Sequence, residues 1–544
     1  MESISSSESK KLVDGPASQS ADPSAINADT KKQKLCVWQQ QQQIVGLVAE
    51  PFRWVAMLCR ELNATFVVGV VLVYGLSNGF AGSFFRVVSD YYWKDVQKAQ
   101  PSAVQLFMGL YYVPWVLKPV WGVLTDVVPV RGYRRRPYFI VAGILGATAA
   151  TIVSSAGGLP AVAALVCLVG MTAAVAIADV TIDACIARNS IEKPSLAPDM
   201  QSLSGFVSSL GALVGYSTSG IFVHKLGAQV GIHRPVQFKF LKKNNYFMNT
   251  VWLASDRSIG IMAIPALLLI LLGFVIFELK TNQVSEKHKV WDKMGAAVRG
   301  MGKTITYAAV WKPSLYMYLS LALSISTHEG QFYWYTDKTA GPAFSQEFIG
   351  IIYAIGALAS MIGVLIYHKL LKNLPFRSLL FYAQLLYAVS GMLDLIFVLR
   401  WNRKLGIPDY LFVIFEECTS RIISRIRWMP MIVLSTKLCP LGIEGTFFAL
   451  LMCIDSLGTL SSKTGGGIVL HALHVTRTDF RNLWLVVFIR NLLRLSTLCL
   501  IFLVPKADQT DVLLPPDILE SSRSFQKEEE ESLELAKFSE MEEV

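Results

Sequence analysis

KPVWGVLTDVVPVRGYRRRP, residues Lys118 to Pro137, is the stretch that decides how this chain folds. An apolar run ends near Asp126. A short loop then carries Arg131, Arg134, Arg135 and Arg136 with no acid after Asp126, and a new apolar run opens at Tyr138. Short arginine-rich loops between apolar runs are typical of the cytoplasmic face of a membrane. The stretch predicts a hairpin of a polytopic membrane protein and sets its orientation.

Composition widens that expectation to the whole chain. Of 544 residues, 53% are apolar and only 17% charged, where a soluble domain carries about 25% charge. Mean hydropathy is +0.44. A membrane helix needs about 20 mostly apolar residues, and twelve such stretches occur: 64–84, 102–124, 138–156, 160–187, 200–223, 257–278, 313–335, 347–371, 376–399, 408–436, 444–470 and 482–504. The expected fold is an all-α integral membrane bundle of twelve helices. An even count puts both termini on one side, and the excess of Lys and Arg there makes it the cytoplasm. The net charge of +10 is therefore a mark of topology, not of nucleic-acid binding. The loop 224–256 runs against the rule, with Lys225, Arg234, Lys239, Lys242 and Lys243 on the opposite side. Eight scattered cysteines without a CxxC pair argue against disulfides and against a metal site.

Residues 1–43 are polar, Ser-rich and end in a glutamine run, the composition of a disordered tail. Their acids Glu2, Glu8 and Asp14 argue against an organelle transit peptide, which is acid-poor. Plasma or vacuolar membrane is favoured over plastid. Residues 44–60 are too polar to span and read as an interfacial helix. The basic stretch 279–312 divides the chain into a six-helix half, 61–278, and a second, 313–505, before an acidic tail at 506–544. Six plus six is the usual build of a major-facilitator-type carrier, with its site near the midplane. Gly363 to Arg377 echoes Gly122 to Arg136 in the second half, with Tyr367 in place of Asp126.

An ionisable side chain at the bilayer centre costs about 2.5–3.5 kcal/mol on insertion scales, so each one needs a reason. Asp179 and Asp183 in the fourth span stand i, i+4 and share a helical face. Two close carboxylates tend to hold one proton between them, which suits proton coupling or a substrate amine; a structural pairing with a bundle cation is the alternative. Arg421, Arg425 and Arg427 populate the tenth span, and arginine forks grip carboxylates. Arg421 and Arg425 share a face and Arg427 is rotated away, while Glu416 and Glu417 are potential neutralisers. Lys118 either locks onto a fourth-span aspartate or meets substrate. Glu329 stands beside Phe332, Tyr333, Trp334 and Tyr335, a group suited to stacking a planar heterocycle or to an interfacial aromatic belt. His328, Asp455 and Lys463 carry weaker expectations. Asp126 with Gly122, Arg131, Arg134, Arg135 and Arg136 reads as a cytoplasmic gate, an interdomain charge clasp that opens and closes. No P-loop, HExxH or GxSxG pattern occurs. The chain reads as no enzyme and as a gradient-driven carrier without cofactor, most simply a monomer.

The run Lys118–Tyr138, with DVTIDACIAR (Asp179–Arg188), QSLSGFVSSLGALVGYSTSG (Gln201–Gly220), FYWYTD (Phe332–Asp337), CPLGIEGTFFALL (Cys439–Leu451) and HVTRTDFRNLWL (His474–Leu485), resembles the folate–biopterin transporters. They are a branch of the major facilitator superfamily, and the last motif is similar to that of plant members. The resemblance implies a carrier of folates or pterins, driven by protons and working by alternating access. Asp179, Asp183, Lys118 and the tenth-span arginines would then face the pterin and glutamate ends of such a substrate. Thr125 where the family pattern has Ser, and Asp455 and Lys463 in the eleventh span, depart from it. Two other readings stand beside this one: a carrier of another small anionic or amphoteric metabolite, and a non-transporting receptor on the same fold, for which changing Asp179 or Asp183 would be harmless.

Overall fold

The computed structural model describes residues 53–127, 130–156, 159–193, 196–226, 259–276, 278, 295, 302, 305–438 and 444–509. The chain resolves into two units, 1–64 and 65–544. In the first, residues 53–61 are helical, within the stretch expected to lie along the interface. The tail 1–43, most of the loop 224–256, most of the basic stretch 279–312 and residues 510–544 lie outside the described residues.

Helices dominate the second unit, and no strand occurs among its described residues. We number them α1 (Ala64–Val96), α2 (Pro101–Leu110), α3 (Val113–Val116), α4 (Lys118–Val127), α5 (Arg136–Ser155), α6 (Ala161–Glu192), α7 (Ala197–Leu226), α8 (Ala263–Val275), α9 (Ala308–Ala322), α10 (His328–Thr336), α11 (Gln346–Leu371), α12 (Phe376–Val398), α13 (Trp401–Lys404), α14 (Asp409–Lys437), α15 (Glu444–Ala472) and α16 (Leu483–Leu503). Every apolar stretch expected to span coincides with one of these helices or a run of them. By length and apolarity alone, seven helices among the described residues qualify as membrane-crossing: α1, α5, α16, α11, α12 and parts of α6 and α7. The chain is an integral, multi-pass membrane protein.

Three spans depart from the expected simple helices, each for a local reason. α1 runs twelve residues beyond the expected end at 84 and contains a π-helical stretch, Val71–Ala81; such stretches are frequent at functional sites. The second span is interrupted at Tyr111–Tyr112 and Leu117, beside Pro114 and Pro119, which lack the N–H that a continuous helix needs. The seventh is broken between Ala322 and His328. There Ser326 N–H donates to Ser462 O at 3.1 Å and Ser462 Oγ–H to Ser324 O at 2.7 Å. Opened backbone is tolerated at membrane depth where protein re-satisfies it.

Two symmetric clamps hold the helix ends. In the first half, Glu278 just after α8 accepts N–H bonds from Arg134 (2.7 Å), Arg135 (2.9 Å) and Arg136 (3.0 Å), capping α5. In the second, the chain after α16 serves the start of α12: Phe376 N–H donates to Ala507 O, and Arg377 donates to Val504 O and Phe502 O. The weak sequence echo between the halves thus has a structural counterpart.

Between the halves, α2 packs on α15 and α7 on α11. The hydrogen bonds and ion pairs described across them gather on residues 90–105, 224, 328–347 and 477, away from the arginine loop. They include Tyr333 Oη–H to Ala99 O (3.0 Å) and Arg477 N–H to Gln100 Oε1 (3.2 Å).

Candidate functional site

Two cavities, of about 400 and about 330 Å³, lie between the halves. Both are lined by Arg86 and Tyr112 from the first half and by His328 and Lys463 from the second. The larger one is bordered by six Lys or Arg side chains and three Asp or Glu. Two of those acids are engaged locally. Glu417 holds Arg421 at 2.6 Å across one helical turn, and Asp394 pairs with Arg490, which also donates to Thr327 and Gln331 at 3.0 Å. The third, Glu416, is buried. Cationic groups therefore outweigh acids around this space. Phe332, Tyr335, Tyr353 and Trp428 supply flat apolar walls.

The tenth-span arginines divide differently from the expected pattern. The cavity face of α14 follows Glu417, Ser420, Arg421, Ser424, Arg427 and Trp428, steps of three and four residues along one stripe. Arg427 falls on that stripe, so the expectation that it is rotated away is corrected. Arg425 falls at its edge; its Nε–H donates to Ser360 Oγ at 3.0 Å and its guanidinium sits 4.9 Å from the Trp428 ring centroid. Glu417, as expected, neutralises Arg421.

Asp179, Asp183 and Lys118 form a cluster beside the second cavity rather than in its wall. Asp179 is buried and accepts from Lys118 Nζ at 2.5 Å and from Asn78 Nδ2 at 2.5 Å. Asp183 accepts from the Tyr74 hydroxyl. Of this group only Asn78 lines the cavity. Tyr74 and Asn78 are both presented by the π-helical stretch of α1, four apart like the two aspartates they meet. Lys118 is thus a lock on the fourth-span aspartate.

Glu329 lines the second cavity and is fully buried. Its N–H donates to Gln105 Oε1 at 3.0 Å, while neither carboxyl oxygen has a hydrogen-bond partner among the described residues. His328 Nε2 lies 3.0 Å from Asp90 Oδ2 and 3.9 Å from Glu329 Oε1. These three residues offer ligand atoms within 4.8 Å of one another, the donor types a metal ion uses. Arg86 and Lys463, lining the same cavity, place positive charge beside them and disfavour a divalent ion. The aromatic run separates: Phe332 and Tyr335 line the larger cavity, whereas Trp334 Nε1–H donates to Ala340 O at 3.1 Å.

Asp126 lies in the last turn of α4, its side chain outside the described residues. Arg131 is exposed in a left-handed conformation (φ 56°) before Gly132 (φ 84°). Arg134, Arg135 and Arg136 meet Glu278 through their backbone, and Arg135 also donates to Thr125 Oγ1 at 2.8 Å. A Cβ on Gly122 would meet Val180 at 3.7 Å, ordinary contact, so close packing does not require glycine there.

Sequence reasoning missed Arg86, Asp90, Asp394, Arg490 and Arg494. Arg86 and Asp90 lay beyond the expected end of the first span and read as loop. Asp394, Arg490 and Arg494 stood inside apolar runs, where a lone charge is itself the signal.

A helical bundle enclosing charged cavities between two halves is a major-facilitator-type fold. The solved structures it resembles have that fold: the nucleoside transporter NupG (TM-score 0.54, 12% identity, 80% of this chain and 98% of that one) and the xylose transporter XylE from E. coli in its inward-open conformation (TM-score 0.52, 12%, 85% and 99%). The family model described as the BT1 family matches residues 78–519, and the chain belongs to that family. Relatives include "Probable folate-biopterin transporter 6" of Arabidopsis thaliana, 59% identical over 88% of this chain and 91% of its own length. "Folate-biopterin transporter" of Synechocystis is 30% identical over 82% and 81%. The protein is a transporter and not an enzyme.

Proposed function

We propose that this transporter is a secondary carrier of folate or pterin derivatives, coupled to protons and working by alternating access. The observation that carries the reading is the larger cavity: six cationic side chains against three acids, with aromatic walls between them. A planar heterocycle bearing carboxylates matches that lining, since aromatics stack the ring and guanidinium groups take the anionic end. The names of the relatives agree. Arg421 faces the substrate path, Arg425 supports it from the stripe's edge, and Glu329 meets the pterin from the adjoining second cavity. Asp179 and Asp183 carry the proton, with Lys118 and Tyr74 modulating it, and Asp126 with the arginine loop closes the cytoplasmic end. Both termini are cytoplasmic, in a plasma or vacuolar membrane.

Radiolabelled folate uptake into proteoliposomes, with and without an inward proton gradient, tests this. Gradient-stimulated uptake is expected in the wild type and at least a tenfold loss of the stimulation in Asp183→Asn. No uptake by folded protein would exclude folate as cargo, and uptake indifferent to gradient and substitution would remove the proton from Asp183.

A further inference from the structure

Arg427 on α14 and Arg494 on α16 are buried, at 6% and 8% exposure. Both line the larger cavity, and their guanidinium carbons lie 4.6 and 4.1 Å from the centroid of one ring, that of Tyr387 on α12. Neither makes an ion pair or a side-chain hydrogen bond among the described residues, and Arg494 Nε is buried without a partner. The acids around them are committed or remote. Asp394 is held by Arg490 and Gln331, Glu416 faces Asp394, and Asp455 on α15 interacts with Arg427 only at longer range. Arg490 adds a third cation to the neighbourhood.

Two like charges sharing one aromatic ring repel, and burying them without an anion is costly. Contact with the ring face recovers part of this, about 2 kcal/mol for a desolvated cation. The remainder is met when an anion enters the cavity. A planar guanidinium presents paired N–H donors that match the two oxygens of a carboxylate or phosphate.

We propose that Arg427 and Arg494, braced on Tyr387, form an oxyanion-binding site that grips a carboxylate or phosphate group of the cargo from the second half. The assignment rests on the carrier reading above and deepens it: the cargo is an anion, and an uncharged pterin lacks the group this site takes. In a folate, the oxyanion is a carboxylate of the glutamyl tail.

The test is ligand binding to the purified full-length protein, read as thermal shift and equilibrium affinity, with folic acid, glutamate, inorganic phosphate and biopterin as probes. Folic acid is expected to bind at least thirtyfold more tightly than biopterin. Arg427→Gln and Arg494→Gln should each weaken folic acid by about ten- to a hundredfold, about 1.4–2.8 kcal/mol. Their loss for folic acid should exceed their loss for biopterin at least tenfold, and Arg494→Lys should recover part of it. Stabilisation by phosphate but not glutamate would make the oxyanion a phosphate; arginine-dependent binding of either, without folic acid, would retire folate as cargo and keep the anion site. Equal losses for folic acid and biopterin, or no anion binding by the wild type, would overturn the proposal.

Discussion

Lys118 Nζ lies 2.5 Å from Asp179 Oδ2 and joins α4 to α6 through a buried ion pair, at 17% and 5% side-chain exposure. Removing one member of such a pair leaves the other charge uncompensated and costs about 3–5 kcal/mol, whereas replacing both by apolar groups can be nearly neutral. Lys118→Met should therefore lower the melting temperature of the purified protein by several degrees, and Lys118→Met/Asp179→Leu should restore more than half of it. An unchanged melting temperature with lost uptake in Lys118→Met would instead mark Lys118 as a cargo contact.

The loop between α15 and α16 carries a carboxylate whose titration is legible. Arg481, bonded to both Asp479 oxygens through its side chain, holds the Asp479 carboxyl at about 2, aided by the Arg481 N–H. A folded-state value below the unfolded one, about 3.9, gives a contribution that is complete above about pH 5 and is lost as pH falls towards about 1. Hydrogen exchange of residues 473–482 should gain a pH-dependent opening in that window, and Asp479→Asn should remove the dependence while raising exchange at pH 7. Because the pair is exposed, the effect is local and the global melting temperature should hardly move. The loop's Arg477 N–H bond to Gln100 across the halves should loosen with it.

Glu278 makes a larger demand on stability than its single position suggests. Its carboxylate takes three consecutive N–H groups at the start of α5, satisfying donors that a helix N-terminus leaves open and meeting the positive end of the helix dipole. Glu278→Ala is expected to cost about 1–2 kcal/mol, seen as a lower melting temperature and as protease cleavage within 130–136. Glu278→Gln, which still accepts, should lose less. Equal effects of the two would mean that charge and not hydrogen bonding holds the loop.

Hydrophobic runs and the arginine loop were enough to read a multi-pass helical bundle, because burial in lipid demands both length and apolarity. The same apolarity hid the breaks. Nothing in SISTHEG says that the seventh span opens, since the opening is satisfied by Ser462 on another helix. The i, i+4 spacing of Asp179 and Asp183 was legible, but not that Lys118 would take one and Tyr74 the other. Arg427 and Arg494 escaped notice as a pair because they stand on different helices and meet only through Tyr387. Spacing along one helix reports faces; which faces converge is a property of the packing.

The contact of α7 with α11 gives the carrier's moving parts a test. A Cβ on Gly220 would fall 2.5 Å from Gln346 O and 3.0 Å from Glu347 Cα, backbone atoms that cannot step aside. Gly220→Val should separate the halves at that end and shift the population towards the state open there. With spin labels at the exposed positions Lys98 and Lys338, the distance distribution should move to longer values, and folate uptake should fall about tenfold, the effect of a shift of about 1.4 kcal/mol between two states. Binding of cargo from the labelled side should be retained, because Gly220 lines neither cavity. A folded variant with an unaltered distance distribution would show that this glycine contact does not set the closed state, leaving the bonds of Tyr333, Arg477 and His328 across the halves to hold it.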